Sequence, residues 1–160
     1  MNEDKIKWCI RQKKGISLTE PKQHLAKAYM SEADDTLENV FLAKGKWKVI
    51  TAYYACYNAL YSILAMCGIK CEIHDCTIEL MGLFDFAASD IKYIKMLKED
   101  RIRTQYHLQD IVLKEEAKPK IFVSKCKGVL ASLDSKQVED VRKRIERLNL
   151  GTAQDGGNDD

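Results

Sequence analysis

KWKVITAYYACYNALYSILAMC, residues Lys46–Cys67, is the stretch on which the fold turns. Within it Trp47, Ile50, Tyr53, Tyr54, Tyr57, Leu60, Tyr61 and Leu64 recur at three- and four-residue steps, with Ala52, Ala55, Ala59 and Ala65 between them. That is helical periodicity, and the apolar side takes in more than half the circumference. A helix of this kind is contacted from several sides, so it is read as the centre of the molecule. Upstream, Gly45 separates it from a second helical stripe of Leu25, Ala28, Tyr29, Ala33, Leu37, Val40 and Phe41. A one-glycine connection between two helices that each bury a stripe favours an antiparallel hairpin, here His24–Lys44 against Lys46–Cys67. Thr19 or Glu20 is expected to cap the first of these helices, with Pro21 in its first turn.

Downstream, Gly68 ends the central helix and a loop runs through Cys71–Asp75. A short helix of about Cys76–Phe84 follows. Ser89-Asp90 then caps a helix carrying Ile91, Ile94, Leu97, Ile102 and Tyr106. Glu115–Leu133 reads as a further helix, with Pro119 suited to its true start. Asp134-Ser135 caps a last, short helix to about Leu148, and the acidic, glycine-rich residues 151–160 are expected to be disordered. No alternating pattern or turn-linked pair of apolar runs speaks for strands. The fold class is therefore all-α: an up-and-down bundle of four to five main helices in one domain, residues 1–150.

Composition agrees. The chain has 160 residues, 46% hydrophobic and 31% charged, which excludes the disordered class. A net charge of +2 gives no global argument for a polyanionic partner. Cations cluster locally instead, as Lys5/Lys7/Arg11/Lys13/Lys14, Lys92/Lys95/Lys98/Arg101/Arg103 and Arg142/Lys143/Arg144/Arg147. Such runs are ordinarily solvated helix faces, with phosphate attraction as the other reading. The first residues lack a signal-peptide core, and no uninterrupted apolar run matches the ~18–20 residues of a membrane span, so a cytoplasmic protein with no membrane contact is expected. In that setting the six cysteines read as free thiols. Cys67, Cys71, His74 and Cys76 lack the paired spacing of structural zinc sites, and neither a metal nor another cofactor is expected.

Two segments concentrate chemistry: the tyrosine run Thr51–Tyr61, continued by Ile73–Leu80, and the helix segment Leu97–Leu108. The tyrosines read first as core, whose hydroxyls need partners such as Asn58, Thr51 or Arg101, and second as a stacking platform for bases. His74, in a loop before a helix, reads as a backbone or capping group ahead of a catalytic one.

Ala26-Lys27-Ala28-Tyr29, Ala52-Tyr53-Tyr54-Ala55, His74-Asp75-Cys76-Thr77 and Arg101-Ile102-Arg103-Thr104-Gln105-Tyr106, in that order, resemble the HEPN superfamily (higher eukaryotes and prokaryotes nucleotide-binding). The likeness is to its small stand-alone prokaryotic and archaeal members, and extends from about Lys5 to Leu133. It implies a helical bundle, usually homodimeric, with the fourth helix facing a functional cleft that binds nucleotide or RNA. Arg103, Tyr106, Tyr53, Tyr54, Lys98 and His74 would line it. The resemblance also implies a toxin–antitoxin or defence-type context and a nucleotidyltransferase partner.

Many HEPN proteins are metal-independent endoribonucleases with an Arg-x4–6-His motif, which Arg101 and His107 match in spacing. There a histidine would move the proton of the ribose 2′-OH while an arginine steadies the phosphate. Residues six apart on a straight helix, however, differ by about 120° and ~9 Å, so Arg101 and His107 do not share a face, whereas Arg103 and His107 do. Three readings stay open: a binding or partner module, an endoribonuclease toxin, and a structural role for Arg101 as a buried brace for Tyr53 or Tyr54.

Overall fold

The structure, a computed structural model, describes residues 2–155. Seven α-helices are found among the described residues: α1 (Glu3–Arg11), α2 (Gln23–Leu42), α3 (Lys46–Met66), α4 (His74–Glu79, continued by a 3-10 turn Leu80–Leu83), α5 (Ala88–Tyr106), α6 (Lys118–Ser132) and α7 (Ser135–Asp155). The all-α class holds, and the α2–α3 hairpin lies within two residues of its expected bounds.

Helix α3 is the axis of the molecule. Val49, Ala52, Tyr53, Ala55, Cys56, Ala59, Leu60 and Ile63 enter one core with α2, α5 and α6. At its C-terminal end Leu64 and Cys67 enter a second core with Ile6 and Cys9 of α1, Cys76 of α4 and Val141, Ile145 and Leu148 of α7. This explains why its apolar side is so broad: partners surround it. By length and composition α3 also passes for a membrane span, but 67% of its most apolar window is buried inside the bundle. That burial accounts for its hydropathy as core.

Several local expectations are corrected. On α2 the buried line is Ala26, Met30, Ala33 and Val40, while Phe41 is 53% exposed at the hairpin tip. The observed line keeps Ala33 and Val40 of the expected stripe and adds Ala26 and Met30, and periodicity alone does not rank small Ala26 above its larger neighbour Leu25. Neither Thr19 nor Glu20 caps α2, which starts from Lys22 without a side-chain cap. Thr19 is used elsewhere, its N–H donating to Gly68 O at 2.7 Å. It adjoins a two-stranded antiparallel ribbon, β1 (Ser17–Leu18) with β2 (Ile69–Lys70), far too short to leave an alternating pattern. Helix α1, unanticipated, is opened by Asn2, whose Oδ1 accepts from Lys5 N at 3.1 Å.

Ser89 and Asp90 do not cap α5 as expected but lie in its first turn after Ala87, while the start signals of α6 and α7 hold. The Asp90 carboxylate accepts from Ala87 N at 2.9 Å at the head of α5. Pro119 stands in the first turn of α6. Asp134 and Gln137 exchange side-chain-to-backbone bonds of 2.7 and 2.9 Å, a capping box, at the head of α7. Helix α7, expected to be short and to end at about Leu148, instead runs to Asp155, with Val141, Ile145 and Leu148 as its buried stripe against the second core. The remainder of the expected disordered tail, 156–160, lies outside the described residues.

The cysteines are not all free. Cys9 and Cys76, 67 residues apart, form a disulfide with their Cα atoms at 5.7 Å, tying α1 to α4. Both are fully buried. Such a bond depends on a tertiary approach that spacing does not reveal. Cys56, Cys67, Cys71 and Cys126 remain free thiols, all buried.

Candidate functional site

The tyrosines of α3 form a ladder because they stand four residues apart on one face. Ring centroids of Tyr53 and Tyr57 are 5.7 Å apart, and those of Tyr57 and Tyr61 5.9 Å. Each hydroxyl reaches the chain segment that follows α3. Tyr53 Oη lies 2.5 Å from His74 Nδ1, Tyr57 Oη lies 3.3 Å from Thr77 Oγ1, and Tyr61 Oη accepts from Cys71 N at 3.2 Å. The ladder thus seats residues 71–77 on α3. The partners expected from sequence were otherwise, and Thr51 spends its hydroxyl on its own helix, donating to Trp47 O at 2.7 Å. Only Tyr54 meets an expected partner, Arg101.

Arg101 is the centre of the cluster. Only 8% exposed, it projects from α5 between aromatic rings. Its guanidinium carbon lies 5.0 Å from the Tyr53 ring centre, 5.7 Å from that of Tyr54 and 5.7 Å from that of Tyr106. Nη1 donates to Gln105 Oε1 at 3.2 Å and to Tyr54 Oη at 3.4 Å. Nε has no hydrogen-bond partner. Among the described residues Arg101 enters no ion pair; its polar contacts are neutral oxygens and π faces. A buried cation is ordinarily matched by a carboxylate, because desolvation without one is costly.

His74 completes the inner wall. Its ring stacks on Tyr57 at 4.3 Å and on Tyr53 at 5.7 Å. Burial first, then the Arg101 and Lys98 charges, lower its pKa below the ordinary histidine value, against a smaller opposing pull from Asp75. The imidazole is neutral at neutral pH, and with Nδ1 engaged by Tyr53, Nε2 is the nitrogen left for other contacts. Burial likewise pushes the Tyr53 and Tyr57 phenols far up, so both stay protonated. Lys98, one turn before Arg101 on α5, pairs with Asp75.

The candidates are thereby sorted. Arg101, Tyr53, Tyr54, Tyr106, His74 and Lys98 come together where α3, α4 and α5 meet. Arg103 and His107 do not join them. Arg103 turns to Gln109 Oε1, 2.8 Å from its Nε, and to Asp100 at 3.8 Å, at the rim of a cleft of about 450 Å³ that also includes Tyr93, Leu97 and Leu113. His107 is the exposed C-cap of α5. No hydrogen bond, ion pair or ring contact joins it to Arg101 among the described residues, as the helical geometry required. The histidine beside Arg101 is His74, from another helix.

Sequence reasoning missed Gln105, which steadies Arg101 from the i+4 position, and Asp75, which holds Lys98. The first was legible from spacing. The second depends on α4 docking against α5. Among the described residues no group of three or more His, Cys, Asp or Glu side chains is arranged to hold a metal ion. With Cys76 in the disulfide, the Cys67/Cys71/His74/Cys76 set is broken up. Chemically the cluster offers an unneutralised guanidinium, a neutral imidazole and an exposed aromatic edge, Tyr106 being 64% exposed.

Comparison of the chain with models of known protein families, with curated proteins and with solved structures finds no match.

Proposed function

We propose that this chain is a HEPN-type binding module that holds the phosphate of a nucleotide or RNA at Arg101, without cutting it. On this reading it works as a homodimer or beside a nucleotidyltransferase partner, in a toxin–antitoxin or defence-type setting. The observation that carries the reading is the buried Arg101 guanidinium, which has an unpartnered Nε and no carboxylate beside it. An anion is the ligand that supplies what this cation lacks, and phosphate suits the planar donor fork. Tyr106, exposed over the same guanidinium, is a surface on which a base can stack. The order of HEPN-like segments in the sequence supports the family, and with it the partner and context.

The test is calorimetric titration of the full chain with uridine or adenosine 5′-monophosphate, with Arg101→Met as the variant because it removes charge and keeps the stem. Binding weakened at least tenfold, on a protein that still melts cooperatively, is the expected result. Wild-type protein that binds neither nucleotide refutes the reading. RNA cleavage that His107→Ala abolishes would overturn it in favour of the Arg101/His107 endoribonuclease.

A further inference from the structure

The end of the α2–α3 hairpin carries large apolar side chains that the bundle does not use. Phe41 and Leu42, in the last turn of α2, are 53% and 77% exposed, and Trp47, in the first turn of α3, is 59% exposed. Val40 and Val49 beside them are buried in the first core, so the two helices stay docked up to this point. The hairpin therefore brings the three exposed side chains to one end of the molecule, on either side of the 43–45 connection. Apolar residues exposed singly need no explanation, but three at one tip call for a partner.

The charge at this end is of one sign. Lys44, Lys46 and Lys48 alternate through the connection, and no Asp or Glu occurs between Glu38 and Glu72. Lys48 is taken by Glu116, whose Oε1 lies 2.6 Å from its Nζ. Lys44 and Lys46 are exposed and enter no ion pair among the described residues, and Lys46 Nζ stands 5.6 Å from the Trp47 ring centre. Of the acids on α2, Glu38 stands a turn back from the tip and Asp35 and Asp34 two turns back, where Lys127 holds Asp34 at 2.7 Å.

A tip of this make-up suits the surface of an acidic membrane. Indole, phenyl and leucyl side chains settle at the boundary of headgroups and acyl chains, while lysine stems carry their ammoniums back to the lipid anions. Amides of the tip are paired before anything docks: Ala43 N donates to Asn39 O at 2.8 Å, Trp47 N to Lys44 O at 3.3 Å and Lys48 N to Gly45 O at 3.1 Å. They carry no unmet donor into a region poor in water. Other occupants answer only part of the surface. A nucleic acid would meet the lysines but has nothing for Leu42, the most exposed of the three apolar side chains. A second copy meeting it tip to tip would set the same lysines against one another. The want of a free spanning run bears on crossing a membrane and not on docking at its surface. We infer that the α2–α3 tip docks this chain on acidic lipid, with Phe41, Leu42 and Trp47 in the interface and Lys44 and Lys46 on the headgroups. No residue of the Arg101 cluster takes part, so the inference does not rest on that reading.

The test is sedimentation of the full chain with phosphatidylcholine vesicles, with and without phosphatidylserine, at low salt. The wild type should pellet with the acidic vesicles. Lys44→Gln/Lys46→Gln should weaken that partition about 25-fold, at roughly fivefold per lysine. Leu42→Ala should weaken it about tenfold. All three changed residues are exposed, and far-ultraviolet melting checks that each variant is folded. Depth is read in Trp8→Phe, where Trp47 is the sole tryptophan and brominated lipid should quench it. Wild-type protein that stays in the supernatant, an unchanged partition in either tip variant, or a Trp47 signal that brominated lipid leaves alone overturns the proposal. Self-association of the wild type that Leu42→Ala abolishes, without vesicle binding, overturns it in favour of a second copy. Oligouridine that binds the tip lysines while vesicles do not overturns it in favour of nucleic acid. Mononucleotide titration of Arg101→Met reads the other site, so the two proposals fail separately.

Discussion

Breaking the Cys9–Cys76 disulfide should cost this protein a large part of its stability. The bond closes a chain of 67 residues, from α1 across the whole α2–α3 hairpin into α4. In the loop-closure picture a cross-link over that length restricts the unfolded chain by about 4 kcal/mol at 25 °C. For a domain of this size that is roughly 8–16 °C in melting temperature. With a urea m-value of about 2 kcal/mol/M it is a midpoint shift of ~2 M. Urea unfolding of the oxidised chain, the reduced chain and Cys9→Ala/Cys76→Ala measures it. Two tryptophans make the assay discriminating: Trp8 reports from α1 and Trp47 from the head of α3. If the bond acts on the unfolded chain, both signals move together and the m-value holds. If reduction merely releases α1, the Trp8 signal moves first and Trp47 stays. Alkylation after denaturation without reductant should label four thiols of the six. Six labelled thiols, or a midpoint shift under ~0.5 M on reduction, refutes the reasoning.

The remaining predictions concern His74, two glycines and the core. His74 is held below its ordinary pKa of 6.5, so the unfolded chain takes up its proton first as pH falls. Its share of stability is complete above about pH 6.5 and declines below it. Its NMR titration midpoint should lie under 6.5 and rise in Arg101→Met, which removes one opposing cation; a midpoint at or above 6.5 in the wild type counts against the cluster. Gly68 has φ +67°, and an added Cβ would lie 2.3 Å from Thr19 O, so Gly68→Ala should cost about 3 kcal/mol. Gly45 has φ +54° in open space, so Gly45→Ala should cost only about 1 kcal/mol; equal melting temperatures for the two variants would contradict the packing at the β1–β2 ribbon. Leu97→Ala, deep in the first core, should cost about 2–5 kcal/mol by urea denaturation, and a loss under 1 kcal/mol would contradict its placement.

The function proposed for the cluster depends on which groups fold together rather than on the Arg-x5-His spacing. The histidine that shares Tyr53 with Arg101 is His74 of α4, whose Nδ1 lies beside the Tyr53 hydroxyl while the guanidinium lies over the Tyr53 ring. His107 stays on the helix end where its spacing put it.

The sequence by itself determined the all-α class, the α2–α3 hairpin, the centrality of α3 and the start of α7. These follow from local physics: apolar residues at helical steps, a glycine between two stripes, and an Asp-x-x-Gln cap. Only the tertiary structure decided which thiols pair, which partners the tyrosine hydroxyls find and how far α7 extends. The pairings join elements distant along the chain, as Cys9 joins Cys76. The periodicity of a helix says which side is buried and nothing of what it is buried against. That choice is made by packing, where small Ala26 is buried more deeply than its larger neighbour Leu25 and a cation in the core is left facing rings instead of a carboxylate.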